Sequence, residues 1–249
     1  PKILAFDIET YNKGDAFEPS KNPILMVSFY GKNFKRVITW KRFKTDKDYV
    51  VFVGGEAELL EKFKETIKHI EPEILCGYFS DGFDLPYIKK RAEKHNIKLS
   101  IGIDNTQPRF SGGINPRGKI AGVVHVDLFQ FIKTTYSQYL QSETLGLNEV
   151  ASELLDNKKL DYEFKVPSKM TDSDWIKFFE YNLHDSVITY NLFEKVWPDI
   201  AEFCNIIQEP LFEVSRNGMS SNVESYIIHK LEKYNEIAEK KPTHDIILE

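Results

Sequence analysis

Residues 4–11 read LAFDIETY: an apolar run that sets Asp7 and Glu9 one residue apart at its end. In a β-strand successive side chains alternate faces, so the two acids project from the same face, roughly 7 Å apart along the strand. Two like carboxylates in a half-buried site raise each other's pKa and work against folding. A divalent cation removes that penalty, and hard carboxylate oxygens suit Mg²⁺ or Mn²⁺. A solvent-exposed strand end would tolerate the same pair, so the choice rests on what other acids the chain supplies.

Working outward, KILAFDI is followed by three more β-rich runs, NPILMVSFYG, RVITW and YVVFV, separated by turn-forming residues. Leu59, Leu60, Phe63, Ile67 and Ile70 then recur at helical spacing. The short run EILCGYF reads as a buried strand leading into a second helix that starts near Asp84. This order predicts an α/β or α+β sheet layered by helices. Residues 104–118 are polar and turn-rich and predict a β-hairpin or ordered loop, with KIAGVVHVDLF as a strand after it. From about Thr144 the chain is expected to be helical: LGLNEVASELL, then a long pattern from Asp172 to Trp197. Pro198 is expected to break that pattern, with helical periodicity resuming from about Ile200 to Ala238.

Composition narrows the class. At 249 residues, 41% hydrophobic and 29% charged, the chain can bury one substantial core and has no apolar run of membrane-spanning length. It begins at Pro1 and shows no signal-peptide pattern, as expected of a piece of something longer. Cys76 and Cys204 are too few for a disulfide framework, and the histidines form no zinc-type cluster. A net charge of −5 argues against nucleic-acid binding through a broad basic face. Two local basic runs, Lys32 to Lys44 and Lys89 to Lys94, fit either solvated faces or phosphate contacts.

Further acids join the opening pair. In SDGFDLPYIKK, Asp84 sits where a strand gives way to a helix with Pro86 in its first turn, a position that an N-cap alone would explain. In EYNLHDSVITYNL, Tyr181 and Asp185 are four apart on a helix and share a face. Asp185 lies at the edge of the apolar stripe continued by Ile188 and Leu192, so it needs a partner, for which a buried Asp–Tyr or Asp–Lys hydrogen bond would suffice.

Taken together, strand DxE, strand–helix Asp and helical Tyr-x-x-x-Asp resemble the DEDD exonucleases, specifically the proofreading 3′→5′ exonuclease domain of archaeal-type family B DNA polymerases. FDIET resembles the first motif, YFSDGFD the second and YNLHD the third, in its tyrosine subclass. NPILMVSFYG, RVITWK, DLPYIKKRAEKHNIKL, HVDLF and EVSRNGMSSNVE carry the resemblance along nearly the whole chain. It departs at Phe79, where the family usually has asparagine five residues before the second-motif aspartate.

The resemblance implies an α/β, RNase H-like mixed sheet flanked by helices, with a β-hairpin insertion and a C-terminal helical segment. It divides the chain into an exonuclease domain over 1–196 and a helical segment over 197–249. That segment would pack with an N-terminal domain and lead toward a polymerase palm, neither of which is recognised in this sequence. It further implies two Mg²⁺ or Mn²⁺ ions held by Asp7, Glu9, Asp84 and Asp185. In that scheme Asp7 bridges both ions, Asp84 acts through a water, and Tyr181 orients the attacking water. The implied partners are a single-stranded 3′ end or primer–template DNA, the N-terminal, palm, fingers and thumb domains, and a sliding clamp. The implied setting is the cytoplasm, at the nucleoid. A folded but catalytically silent module that binds DNA or braces the polymerase is the alternative, motivated by Phe79. A stand-alone RNase of the same superfamily is a third reading.

Overall fold

Alternation along the first strand decides how the layers form. In β1 (Ile3–Thr10), Leu4, Phe6 and Ile8 point to one side, and Ala5, Asp7 and Glu9 to the other. The computed structural model describes residues 1–11, 18–111, 116–155 and 167–239. β1 lies inside a six-stranded sheet with β2 (Ile24–Gly31), β3 (Phe34–Thr39), β4 (Val50–Phe52), β5 (Ile74–Gly77) and β8 (Val124–Asp127), in the order β4-β3-β2-β1-β5-β8. The β1–β2 and β2–β3 pairs are antiparallel, whereas β3–β4, β1–β5 and β5–β8 are parallel, so the sheet is mixed.

Leu4, Phe6 and Ile8 pack under α1 (Glu56–Ile70) and α2 (Asp84–Lys94), joining Leu59, Leu60, Phe63, Leu85 and Ile88 in one core. Ala5 faces the opposite core, built from α3 (Leu128–Thr135), α4 (Leu147–Leu155) and α5 (Asp172–Ile207). The acids therefore project toward the α5 layer. α5 is held to the sheet by a buried polar contact: Ser28 Oγ donates to the Asn182 carbonyl at 2.7 Å and lies 2.6 Å from Ser186 Oγ.

The 109–119 segment forms the expected hairpin, with β6 (Arg109–Ser111) antiparallel to β7 (Arg117–Lys119). Its tip, 112–115, lies outside the described residues. The TDSD string at 171–174 caps α5 as a capping box, with Thr171 and Asp174 exchanging hydrogen bonds. After α5 come α6 (Leu211–Val214) and α7 (Met219–Lys230).

Pro198 does not break the helix, contrary to the sequence reading, because α5 runs on to Ile207. A proline inside a helix costs about 3 kcal/mol through one lost hydrogen bond and a steric clash. Here Leu192, Phe193 and Val196 before it and Ile200 after it are fully buried in one core, so packing offsets that cost. The helix therefore crosses the 196/197 boundary unbroken. Of the apolar positions after it, Val214 is buried, Leu211 and Phe212 are half-buried, and Val223, Ile227 and Ile228 are exposed on α7. Residues 240–249 of the expected C-terminal segment lie outside the described residues.

Candidate active site

The site forms at the C-terminal end of β1, where the ladder shifts register between Glu9 and Thr10. Such a bulge bends the strand and re-aims its side chains. Opposite it, α5 presents Tyr181, Asn182 and Asp185 within about one turn. Ligand oxygens of Asp7, Glu9 and Asp185 lie within 4.8 Å of one another. Asp84 opens α2 from the other side of the sheet and accepts a hydrogen bond from the Ile8 amide at 3.2 Å. Its carboxylate is thereby tied to the residue between Asp7 and Glu9, but it stands outside that closest group. The structure thus brings all the acids predicted from sequence to one strand end, with Tyr181 beside them.

The electrostatics are those of a site short of positive charge. Asp7 is pushed well above the ordinary carboxylate range by burial and then by Asp84, Asp185 and Glu9, with only the Asn182 amide opposing. Glu9 is raised by burial and by Asp185 and Asp84. Burial carries Asp84 to about 7 against the amides of Ile8 and of Asp84 itself, with Asp127 and Asp185 adding repulsion. Burial likewise takes Asp185 to about 7, although the Tyr181 hydroxyl bonded to it pulls the other way. The Tyr181 phenol is itself raised by burial and by the neighbouring carboxylates, Asp185 foremost.

The donor set fits hard divalent cations. It is all oxygen, it is anionic, and Asp185 Oδ1 and Asn182 Oδ1 are buried without a hydrogen-bond partner among the described residues. A buried acceptor left unpaired is costly, and a cation or its water is the kind of group that satisfies it.

Asn182 was not singled out from sequence. It is fully buried, and its Nδ2 donates to Asp7 Oδ2 at 2.6 Å, fixing the orientation of that carboxylate. The available signal was its place inside YNLHD, three residues before Asp185 on the same helical face. Groups that orient a metal-binding carboxylate typically matter 10–100-fold in metal affinity. Asn182→Leu is therefore expected to weaken Mn²⁺ binding by about tenfold or more, measured by titration calorimetry. Wild-type affinity in the variant would remove Asn182 from the site.

Other sequence candidates separate cleanly. Arg91 is buried in an ion pair with Glu56, donating Nε to Oε1 at 2.7 Å, and Lys94 bonds the Ser20 carbonyl, so these two members of the Lys89 to Lys94 run serve the fold. In the earlier run, Lys41 Nζ sits 3.8 Å from the Trp40 ring centroid. Phe79 is 45% exposed with φ of 59°, an unusual left-handed conformation for a bulky residue. Its ring reaches over Gly82, where an added Cβ would meet ring atoms at 2.5–2.9 Å, so a larger residue there would require this exposed ring to shift.

Residues 1–150 match the family described as DNA polymerase family B, exonuclease domain. The chain is 35% identical over 246 residues to the DNA polymerase of Pyrococcus glycovorans, a match covering 97% of this chain and 31% of that protein. It is 34% identical over 250 residues to the DNA polymerase of Thermococcus litoralis, covering 98% of this chain and 14% of that one. The chain thus spans less than a third of the length of either relative. The fold is similar to the structure of the family B DNA polymerase from Pyrobaculum calidifontis, with a TM-score of 0.79 at 21% identity, covering 98% of this chain and 30% of that one.

Proposed function

Because the chain belongs to the exonuclease domain family of family B DNA polymerases, we propose that it removes 3′-terminal nucleotides from single-stranded or frayed DNA in the 3′→5′ direction. This is the proofreading reaction, and it would use two Mg²⁺ or Mn²⁺ ions. The observation that carries the reading is the convergence of Asp7, Glu9 and Asp185 oxygens within 4.8 Å, from a strand and a helix far apart in sequence, with Asp84 at their edge.

Asp7, Glu9 and Asp185 would hold the cations, and Asp84 would add charge from the start of α2. Bound there, the pair would supply charge neutralisation and Lewis acidity for in-line displacement at phosphorus. The Tyr181 phenol, kept protonated by burial and by its acidic neighbours with its proton turned to Asp185, would accept a hydrogen bond from the attacking water and orient it. The bond formed is from the water oxygen to phosphorus, and the proton that water sheds passes to solvent. The bond broken is from phosphorus to the 3′ oxygen of the penultimate nucleotide, which leaves with a proton drawn from solvent. The product is a 5′-nucleoside monophosphate. Asn182, by fixing Asp7, would keep the cluster in register through the cycle.

The wider partners follow from the same reading: a 3′ end or primer–template DNA, the remaining polymerase domains and a sliding clamp, in the cytoplasm at the nucleoid. Among the described residues no helix is long and apolar enough to cross a membrane. The test is release of mononucleotides from a 3′-labelled single strand with Mg²⁺ or Mn²⁺. No release at any metal concentration overturns the reading for this chain.

Phe79 motivates the second reading, a silent DNA-binding module, because an exposed ring stands five residues before Asp84, where the family has an amide. Asparagine adopts positive φ at lower cost than phenylalanine, and little apolar burial is lost from so exposed a side chain. Phe79→Asn is accordingly expected to fold as stably as the wild type and to release nucleotides several-fold faster. Single-strand binding without release by either protein would establish the silent module instead.

A further inference from the structure

We infer that Arg216, in the segment between α6 and α7, is a positioning residue of the exonuclease centre. Through Asp81 it holds both the turn that delivers Asp84 and the hairpin strand β7. The inference begins with the turn itself. Residues 78–83 link β5 to α2, and two amides of the turn are fixed from beneath by one carboxylate, while a second carboxylate, the turn's own Asp81, ties it to its surroundings. Asp127, at the end of β8, accepts the Phe79 amide on Oδ1 and the Asp81 amide on Oδ2, each at 2.9 Å. Asp81 turns inward and accepts the Gly118 amide of β7 at 2.7 Å. Asp84 follows three residues later, with its carboxylate on the Ile8 amide.

Arg216 completes this arrangement from the far end of the chain. Its Nε donates to Asp81 Oδ2 at 2.7 Å, and its Nη1 donates to the His125 carbonyl at 2.8 Å. Its Nη2 lies 2.9 Å from His125 Nδ1, and the guanidinium packs 4.1 Å from the Phe212 ring centroid. His125 in turn lies 2.9 Å from Ser80 Oγ through Nε2. Asp81, His125 and Arg216 are all buried, so this is an internal fixture and not a surface ion pair. A planar fork with donors in fixed directions can serve an acid and a carbonyl together, which a lysine ammonium cannot reproduce. One guanidinium therefore sets the geometry of the second-motif turn and the base of the hairpin. The functional centre extends past position 197, into residues that would otherwise pass as a connector.

The kinetic consequence rests on the exonuclease reading, so the test has one readout that does not. In the full chain, amide exchange would be followed by NMR for the wild type, Arg216→Met, Arg216→Lys and the double variant Asp81→Leu with Arg216→Met. The double variant removes the Asp81–Arg216 pair together, so neither charge is left buried without the other, and it guards against simple unfolding. In Arg216→Met the Gly118 and Asp81 amides are expected to lose protection while Phe6 and Phe29 in the central strands keep theirs. With Mn²⁺ and a single-stranded oligonucleotide, kcat is expected to fall about tenfold or more with KM nearly unchanged, as for a displaced reacting group. Arg216→Lys should recover part of the loss, and the double variant should fold yet stay slow.

Wild-type protection at Gly118 and Asp81 in a folded Arg216→Met protein overturns the inference, as does unchanged kcat once that protection is gone. Failure of both the single and the double variant to fold would make Arg216 a residue of folding alone, and would overturn it too. If the wild type releases no nucleotide, the exonuclease reading falls and the exchange pattern alone decides whether Arg216 positions the turn.

Discussion

Asp7→Ala combined with Glu9→Ala is expected to abolish nucleotide release and, in the absence of metal, to leave the protein at least as stable as the wild type. The loss follows from removing two of the carboxylates that would hold both cations. Charge stabilisation of several kcal/mol in the transition state corresponds to a rate effect on the order of 10³-fold or more. The stability half is the more discriminating. An ordinary half-buried polar pair would be missed when deleted, but each of these acids is raised by burial and by repulsion from the others. Their removal relieves that repulsion and costs mainly the Asn182 to Asp7 hydrogen bond, which leaves the buried Asn182 amide without its acceptor at a cost of about 1–3 kcal/mol. Thermal melts in EDTA and in Mn²⁺ check this directly. The wild type should gain markedly from Mn²⁺ and the double variant should not. A variant that retains release within tenfold of the wild type, or that still gains from Mn²⁺, would move the metal site elsewhere.

Much of this was legible because two periodicities carried it. The alternation in LAFDIETY put both acids on one face, and the four-residue spacing of Tyr181 and Asp185 put those on another; the fold brought the two faces together. The sheet strands and α1 followed from apolar runs and helical spacing in the same way. Pro198 was misread because local propensity was allowed to outrank packing, and the apolar positions on both sides of it are buried in one core. Asn182 escaped notice since a polar residue on a helix is ordinarily solvated, and only the tertiary contact with Asp7 reveals its use. The Asp81–His125–Arg216 fixture was out of reach for a different reason. Its members lie 44 and 91 residues apart along the chain, and no spacing rule connects positions so distant. Their strings were all part of the family resemblance, but resemblance identifies segments without saying which side chains meet.

The acid cluster should also make metal-free stability fall as pH rises, the reverse of most carboxylate-dependent proteins. Asp84 and Asp185 stand near 7 in the folded chain, while unfolded carboxylates titrate near about 4. A raised folded pKa contributes stability that is fully present below the unfolded value and is lost as pH climbs through the folded one. The window is thus from about pH 4 to just above 7, and Asp127, carried to about 6 by burial and by Asp81, works in the same direction. Asp81 is the opposite case: burial pushes it up, but His125 and Arg216 outweigh that and hold it at about 2, so its contribution is lost only in strong acid. His184, lowered by burial, also favours higher pH, but as a single group it opposes several. The net decline between pH 5 and 8 in EDTA is expected to be on the order of a few kcal/mol, since the acids titrate together and their shifts do not add. Mn²⁺ should reverse the slope, because it binds the deprotonated cluster, and its uptake near pH 6 should release protons detectable by calorimetry in buffers of different ionisation enthalpy. Urea melts at matched pH, with and without Mn²⁺, measure both. Stability in EDTA that stays level or rises between pH 5 and 8 would mean that the carboxylates are already compensated within the fold, and the electrostatic case for a cation at this strand end would fail with it.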